Sequence, residues 1–221
     1  MGQNKFSESF QNFQRKGEII MRFPNGYNGV KKIWIAEVIG LIGGALTLIG
    51  ALVTAIGAAA GSASVAVGGA VATGAVAIIA AIAGLVAYVI NIVGINQAKQ
   101  DEPGTTNFNT AFILVFVGLG ATFLGMFFLG NVFRVISNIA SLGVSVFVIK
   151  GIQSYAKAYN NDQLISTGNT VLILLVCVTL ISIILGFFSS GVLTVISNIL
   201  SLCQYVVYLV FLTKAKNMLA A

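Results

Sequence analysis

Runs of continuously apolar sequence, each roughly twenty residues long, recur along this chain, and that feature restricts its fold more than any other. In hydrocarbon, every backbone N–H and C=O must be paired within the protein, so only helices and closed barrels cross a bilayer. A barrel strand alternates apolar and polar side chains over about ten residues. These runs do not alternate. They cover Ile33 to about Ile56, about Val71 to Ile95, Phe108 to Leu129, Val132 to Ile149, Thr170 to Phe188, and Val192 to Leu212. They are read as six transmembrane helices, and the expected fold class is an all-α integral membrane protein. Composition agrees: of 221 residues, 57% are hydrophobic and 8% charged, where a soluble domain carries about 25% charged residues.

The third and fourth runs are separated by Gly130-Asn131, and the fifth and sixth by Ser189-Ser190-Gly191. Gly and Ser mark helix ends, and an uninterrupted pair would be about twice the length a bilayer needs, so each pair is a tight hairpin. The chain also repeats. Val135-Ile136-Ser137-Asn138-Ile139-Ala140-Ser141-Leu142 returns sixty residues later as Val195-Ile196-Ser197-Asn198-Ile199-Leu200-Ser201-Leu202, and Asn109-Thr110 returns at the same offset as Asn169-Thr170. A fainter copy relates Gly94-Ile95 and Ala98-Lys99 to Gly151-Ile152 and Ala156-Lys157. Three parallel-repeat helical hairpins are therefore expected, in segments 31–99, 100–160 and 161–221. The first segment carries an insertion over 57–73 of Gly, Ala, Ser, Val and Thr, which either extends its helices or re-enters the membrane.

Residues 1–30 form a polar N-terminal arm. Phe6, Phe10, Phe13 and Ile20 fall at helical spacing with charged residues between them, the pattern of an amphipathic helix lying on a membrane surface or against helix ends. Pro24-Asn25-Gly26 is expected to turn the chain into the first span. Lys31, Lys32 and Trp34 are interfacial anchors. With six spans, eleven of the twelve Lys and Arg residues fall on one side, and Arg134 alone on the other. The positive-inside rule then makes the arm and both termini cytoplasmic, in a bacterial-type inner membrane. The net charge of +6 follows from that asymmetry and from anionic lipid, not from nucleic acid, since no soluble basic domain is present to bind it.

Within the spans the strongest pattern is a seam of small residues at alternating spacings of four and three: Ala36, Gly40, Gly43, Thr47, Gly50, Thr54, Gly57 and Gly61. Small residues let helix backbones approach closely in lipid. The seam joins the first two spans to each other, joins subunits, or lines a path. Glu37 is the one acidic residue inside a run; it is either interfacial, solvated or paired with Lys31 or Lys32, or a cation or proton site. Asn91, Ser137, Asn138, Ser141, Ser197, Asn198 and Ser201 are polar contacts between helices. The chain has no His, its two Cys lie apart in apolar runs, and no phosphate loop or carboxylate pair is evident. The sequence therefore calls for no metal, cofactor or catalysis. The expected partners are the lipid bilayer and either further copies of the chain or other membrane subunits. The expected role is a non-enzymatic one by association, as an oligomeric scaffold or complex subunit. The alternative is an oligomeric channel or small-solute transporter with its path along helices 1 and 2.

Overall fold

A computed structural model describes residues 22–60, 63–127, 130–186 and 191–220. Most of the N-terminal arm, Gly61, and Ser189-Ser190 of the third hairpin lie outside the described residues. Among those described, the chain forms α1 (Pro24–Ala59), α2 (Ala63–Ala98), α3 (Asn107–Phe127), α4 (Gly130–Ala158), α5 (Asp162–Gly186) and α6 (Gly191–Ala220). All six are long and apolar enough to cross a membrane, so the protein is integral to one. The Gly/Ala-rich insertion extends the first two helices: α1 runs on to Ala59, and α2 starts at Ala63. Gly130-Asn131 is not a turn but the start of α4.

Helices α1, α3 and α5 begin at one end of the bundle, where α2, α4 and α6 finish; this is called the basal end, and the hairpin tips the apical end. Each helix contacts its neighbours in sequence, α1 also contacts α6, and α4 touches α6. The six helices therefore close into a ring.

Pro24 opens α1 where a turn was expected. Its missing N–H costs nothing in a first helical turn, and its fixed φ suits a helix. The next two amides are capped from elsewhere in the chain: Asn25 N–H donates to Asp101 Oδ2 at 2.7 Å and Gly26 N–H at 3.2 Å, while Asn25 Nδ2 reaches Oδ1 at 3.0 Å. The adjacent Glu102 does the same for α3, accepting from Asn107 N–H and Phe108 N–H at 2.9 Å each. Asp162 occupies the first turn of α5, whose Leu164 N–H is capped by Asn161 Oδ1 at 3.0 Å. Three of the four described carboxylates thus stand at helix N-termini, where unpaired amides and the helix dipole favour negative charge. The short link from α4 to α5 is set by Asn160, which takes φ +53° as Asn161 N–H returns to Ala156 C=O at 2.9 Å, a Schellman-type stop.

The largest fully buried side chains lie toward the basal end, among them Ile33, Ile95, Phe108, Ile152, Tyr155 and Phe211. Tyr155 is the pillar of this layer. It leaves α4, donates its hydroxyl to Ala98 C=O at the end of α2 (2.5 Å) and packs on Phe23 and Phe108, with ring centroids 5.2 and 5.9 Å away. Its ring lies over Gly26 of α1, where a Cβ would come within 2.7 Å. Beyond this layer, large apolar side chains on the described helices face outward; Ile78, Leu85, Phe127 and Ile173 are each about two-thirds exposed. In water such a surface would aggregate; in lipid it is the solvated face.

Candidate functional site at the seam of the first and last helices

The ring closes where α1 meets α6, and this seam is polar. Trp34 Nε1–H donates to Thr213 Oγ1 at 2.9 Å. The Lys216 ammonium sits 4.2 Å from the centroid of the Trp34 ring, a cation–π contact. One turn deeper, the Tyr205 hydroxyl donates to the Glu37 carboxyl group. Tyr208, buried to 5% exposure, lies within the electrostatic reach of the same carboxyl. Gly40 makes room for this arrangement, since a Cβ there would come within 2.7 Å of the Tyr205 hydroxyl oxygen. Trp34, Glu37 and Gly40 follow at i, i+3 and i+6, which keeps them on one helical face.

Glu37 is half-buried and does not pair with a lysine. Lys32 instead donates to Gln97 Oε1 at 2.8 Å, and Lys31 lies 5.9 Å from the Tyr27 ring centroid. The reason is reach: Lys31 and Lys32 sit at the basal edge, where α2 ends, whereas Glu37 faces α6. Chemically, the seam is an ionisable carboxyl inside a span whose hydrogen bond comes from a phenol on another helix.

The small-residue seam divides. Ala36 is buried to 4% exposure, Gly40 faces Tyr205 of α6, and Gly43 faces Ala80 of α2 at 3.8 Å from a built Cβ. Thr47 is exposed and returns its hydroxyl to Gly43 C=O at 2.9 Å. Gly50 is half-buried, and Thr54 and Gly57 lie within α1. The closest approach of α1 and α2 comes lower, at Gly29 and Gly94. A Cβ on Gly94 would meet Gly29 C=O at 2.8 Å and Ile33 N at 2.9 Å. Sequence reading passed over Gly29, although its spacing of three and seven from Gly26 and Ala36 continues the small face downward.

Of the polar residues picked out in the spans, Ser137 shares a hydrogen bond with Thr122 of α3 at 2.8 Å. Ser201 instead donates to Ser197 C=O of its own helix at 2.9 Å, and Ser141 C=O accepts from Ser145 at 3.3 Å. Asn138 is exposed, and Asn198 lies within α6. The Oδ1 of Asn91 is buried without a hydrogen-bond partner. Among the described residues, no three His, Cys, Asp or Glu side chains gather into a metal site. No family model, curated protein or solved structure matches the chain.

Proposed function

We propose that this integral membrane protein works by association, as an oligomeric scaffold or as the integral subunit of a larger membrane complex, without catalysis. One observation carries the reading: Gly44 on α1 and Gly74 and Gly84 on α2 have nothing within 4 Å of where a Cβ would stand. Glycine in a helix interior costs about 1 kcal/mol relative to alanine. These three glycines obtain no packing inside the protomer in return. In lipid, an outward glycine lets the backbone of another helix come close. The α1–α2 hairpin holds three of the four described helical glycines with such open space, the fourth being Gly120 on α3, and is therefore the side we take to face a second copy or another membrane subunit. The experiment is the particle mass in mild detergent. The wild-type chain is expected to run as a multiple of its 23.0 kDa protomer, and Gly44→Leu with Gly84→Leu to run as the protomer. A wild-type particle that stays monomeric at every protein concentration refutes the proposal.

The same reading takes the chain as three parallel hairpins with both termini cytoplasmic, in a bacterial-type inner membrane. Positions sixty residues apart share burial, which supports the repeat: Ala111 with Val171, Val115 with Leu175, and Ile152 with Leu212 are all buried. Lys31, Lys32, Lys99, Lys150, Lys157, Lys214 and Lys216 all belong to the basal half, which supports a cytoplasmic basal end.

A second reading, conduction of a cation or proton, is favoured by Glu37 alone, because an ionisable group inside a span is costly without a role. Its test is flux in liposomes. A cation current whose selectivity falls in Glu37→Gln supports conduction; an electrically silent protein with assembly unchanged in Glu37→Gln supports association alone.

A further inference from the structure

The basal end carries a feature that neither association nor the Glu37 seam uses. An open cleft of ≈ 660 Å³ lies between α4 and the link leading into α3, lined by Thr105, Asn107, Lys150, Gln153, Ser154 and Lys157 among others. Lys150, Gln153, Ser154 and Lys157 follow at i, i+3, i+4 and i+7, so one face of α4 forms its wall. Gln153 and Ser154 form the buried floor, at 9% and 7% exposure. Their donors are already engaged: Gln153 Nε2 donates to Ile165 C=O at 3.0 Å and Asn169 Oδ1 at 2.9 Å, and Ser154 donates to Gly151 C=O at 2.7 Å. The floor is therefore rigid and does not attract an anion itself.

The charge comes from the two lysines. Both are exposed, and among the described residues neither meets a carboxylate; Lys150 has only the Phe147 ring, 6.0 Å from its ammonium nitrogen to the centroid. The nearby Glu102 is hydrogen-bonded to the α3 amides and to the Thr105 hydroxyl and is held there rather than in an ion pair with either lysine. Lys150 lies two turns inside its span, which ends at Ala158, and its flexible stem carries the ammonium outward to the interface. Two ammonium groups without an ion-pair partner among the described residues, over a polar cleft near the end of a span, match the chemistry of an anionic phosphate. The space exceeds a lone phosphate and admits a phosphate with a polar substituent.

We infer that this cleft binds a phosphate-bearing anion, held between Lys150 and Lys157, whose source is an anionic phospholipid headgroup or a soluble phosphate compound. The probes are phosphatidylglycerol, phosphatidylcholine and inorganic phosphate, added to the delipidated protein in mild detergent. Bound lipid is counted by native mass spectrometry, and phosphate binding is read from ³¹P line broadening. The wild-type chain is expected to retain phosphatidylglycerol in preference to phosphatidylcholine. Lys150→Gln with Lys157→Gln should lower that occupancy about tenfold. Lys31→Gln with Lys214→Gln removes the same charge from the basal end away from the cleft and should leave it unchanged. Lys150→Arg with Lys157→Arg should retain binding, which separates lost charge from lost fold, as does an unchanged melting temperature. If millimolar phosphate broadens and displaces the lipid, the source is a soluble phosphate; if it does neither, the source is the lipid. Equal losses in the two glutamine pairs, or no preference for phosphatidylglycerol together with no phosphate broadening, overturn the inference.

Discussion

Replacing Gly29 by alanine tests the tightest contact in the bundle. A Cβ at that position would meet the Ala98 backbone nitrogen, the Gly94 carbonyl oxygen at 2.6 Å and Ala98 Cβ at 2.7 Å. Ordinary carbon contacts sit at about 3.5–4.0 Å, so the shortfall is about 1 Å. None of the three opposing atoms belongs to a flexible side chain, so relief requires α1 and α2 to part. Overpacking of this kind costs about 1–3 kcal/mol, and alanine returns about 1 kcal/mol as the better helix former. The net expectation is a loss of about 0–2 kcal/mol, or a fall of up to roughly 8 °C in melting temperature for a chain of this size. Gly120→Ala is the internal control. It lies in α3, outside the proposed association surface, with nothing within 4 Å of a built Cβ, so only the propensity gain applies, and melting should rise by about 2–4 °C. Adding Ala98→Gly to Gly29→Ala should restore part of the loss, since one of the three clashes disappears while the two backbone clashes remain. The assay is loss of the helical circular dichroism signal on heating in a fixed detergent. If Gly29→Ala and Gly120→Ala shift melting in the same direction by the same amount, backbone proximity at Gly29 does not hold the hairpin, and the reasoning fails.

Tyr155→Phe removes the hydroxyl that reaches Ala98 C=O and should cost about 1–2 kcal/mol, read as a lower melting temperature, with the aromatic packing kept. Asp101→Ala strips the cap from the first amides of α1 and should cost about 1 kcal/mol, with faster amide exchange in the first turn of α1 but not of α3, which Glu102 caps. For orientation, a cysteine placed at Asn160 should resist an impermeant thiol reagent in whole cells and one at Ser190 should react; the reverse pattern would place the basal end outside.

The six helices were legible because an apolar run of about twenty residues has few alternatives in a membrane. Helix ends were not. Pro24 read as a turn because local sequence cannot show that Asp101, far along the chain, waits to cap the next two amides. Glu37 read either as interfacial, solvated or lysine-paired, from its closeness to Lys31 and Lys32 in sequence, or as a cation or proton site; its tyrosine partner comes from α6, whose position beside α1 no periodicity encodes. The small-residue rhythm on α1 did not reveal its partners, since glycine spacing is the same whether a neighbour is α2, α6 or another chain. Gly40 and Gly44 show the ambiguity: one receives Tyr205, the other open space.

The first two helices have 36 residues each, while α3 has 21. Measured from the basal anchors, α1 rises from Ile33 to Ala59 for about 40 Å, and α3 rises from Phe108 to Phe127 for about 30 Å. One wall of the ring therefore matches an average hydrocarbon layer of about 30 Å, and the opposite side overshoots it by about 10 Å. Unless the Gly/Ala-rich tip of the first hairpin stands clear of the hydrocarbon, lipid around the protein stretches on one side and relaxes on the other, or the first hairpin leans to shorten its rise. Either response stores elastic energy that falls when the bilayer thickens beside α1 and α2. Where the first hairpin stays within the bilayer, a thicker membrane beside α1 and α2 relieves that mismatch.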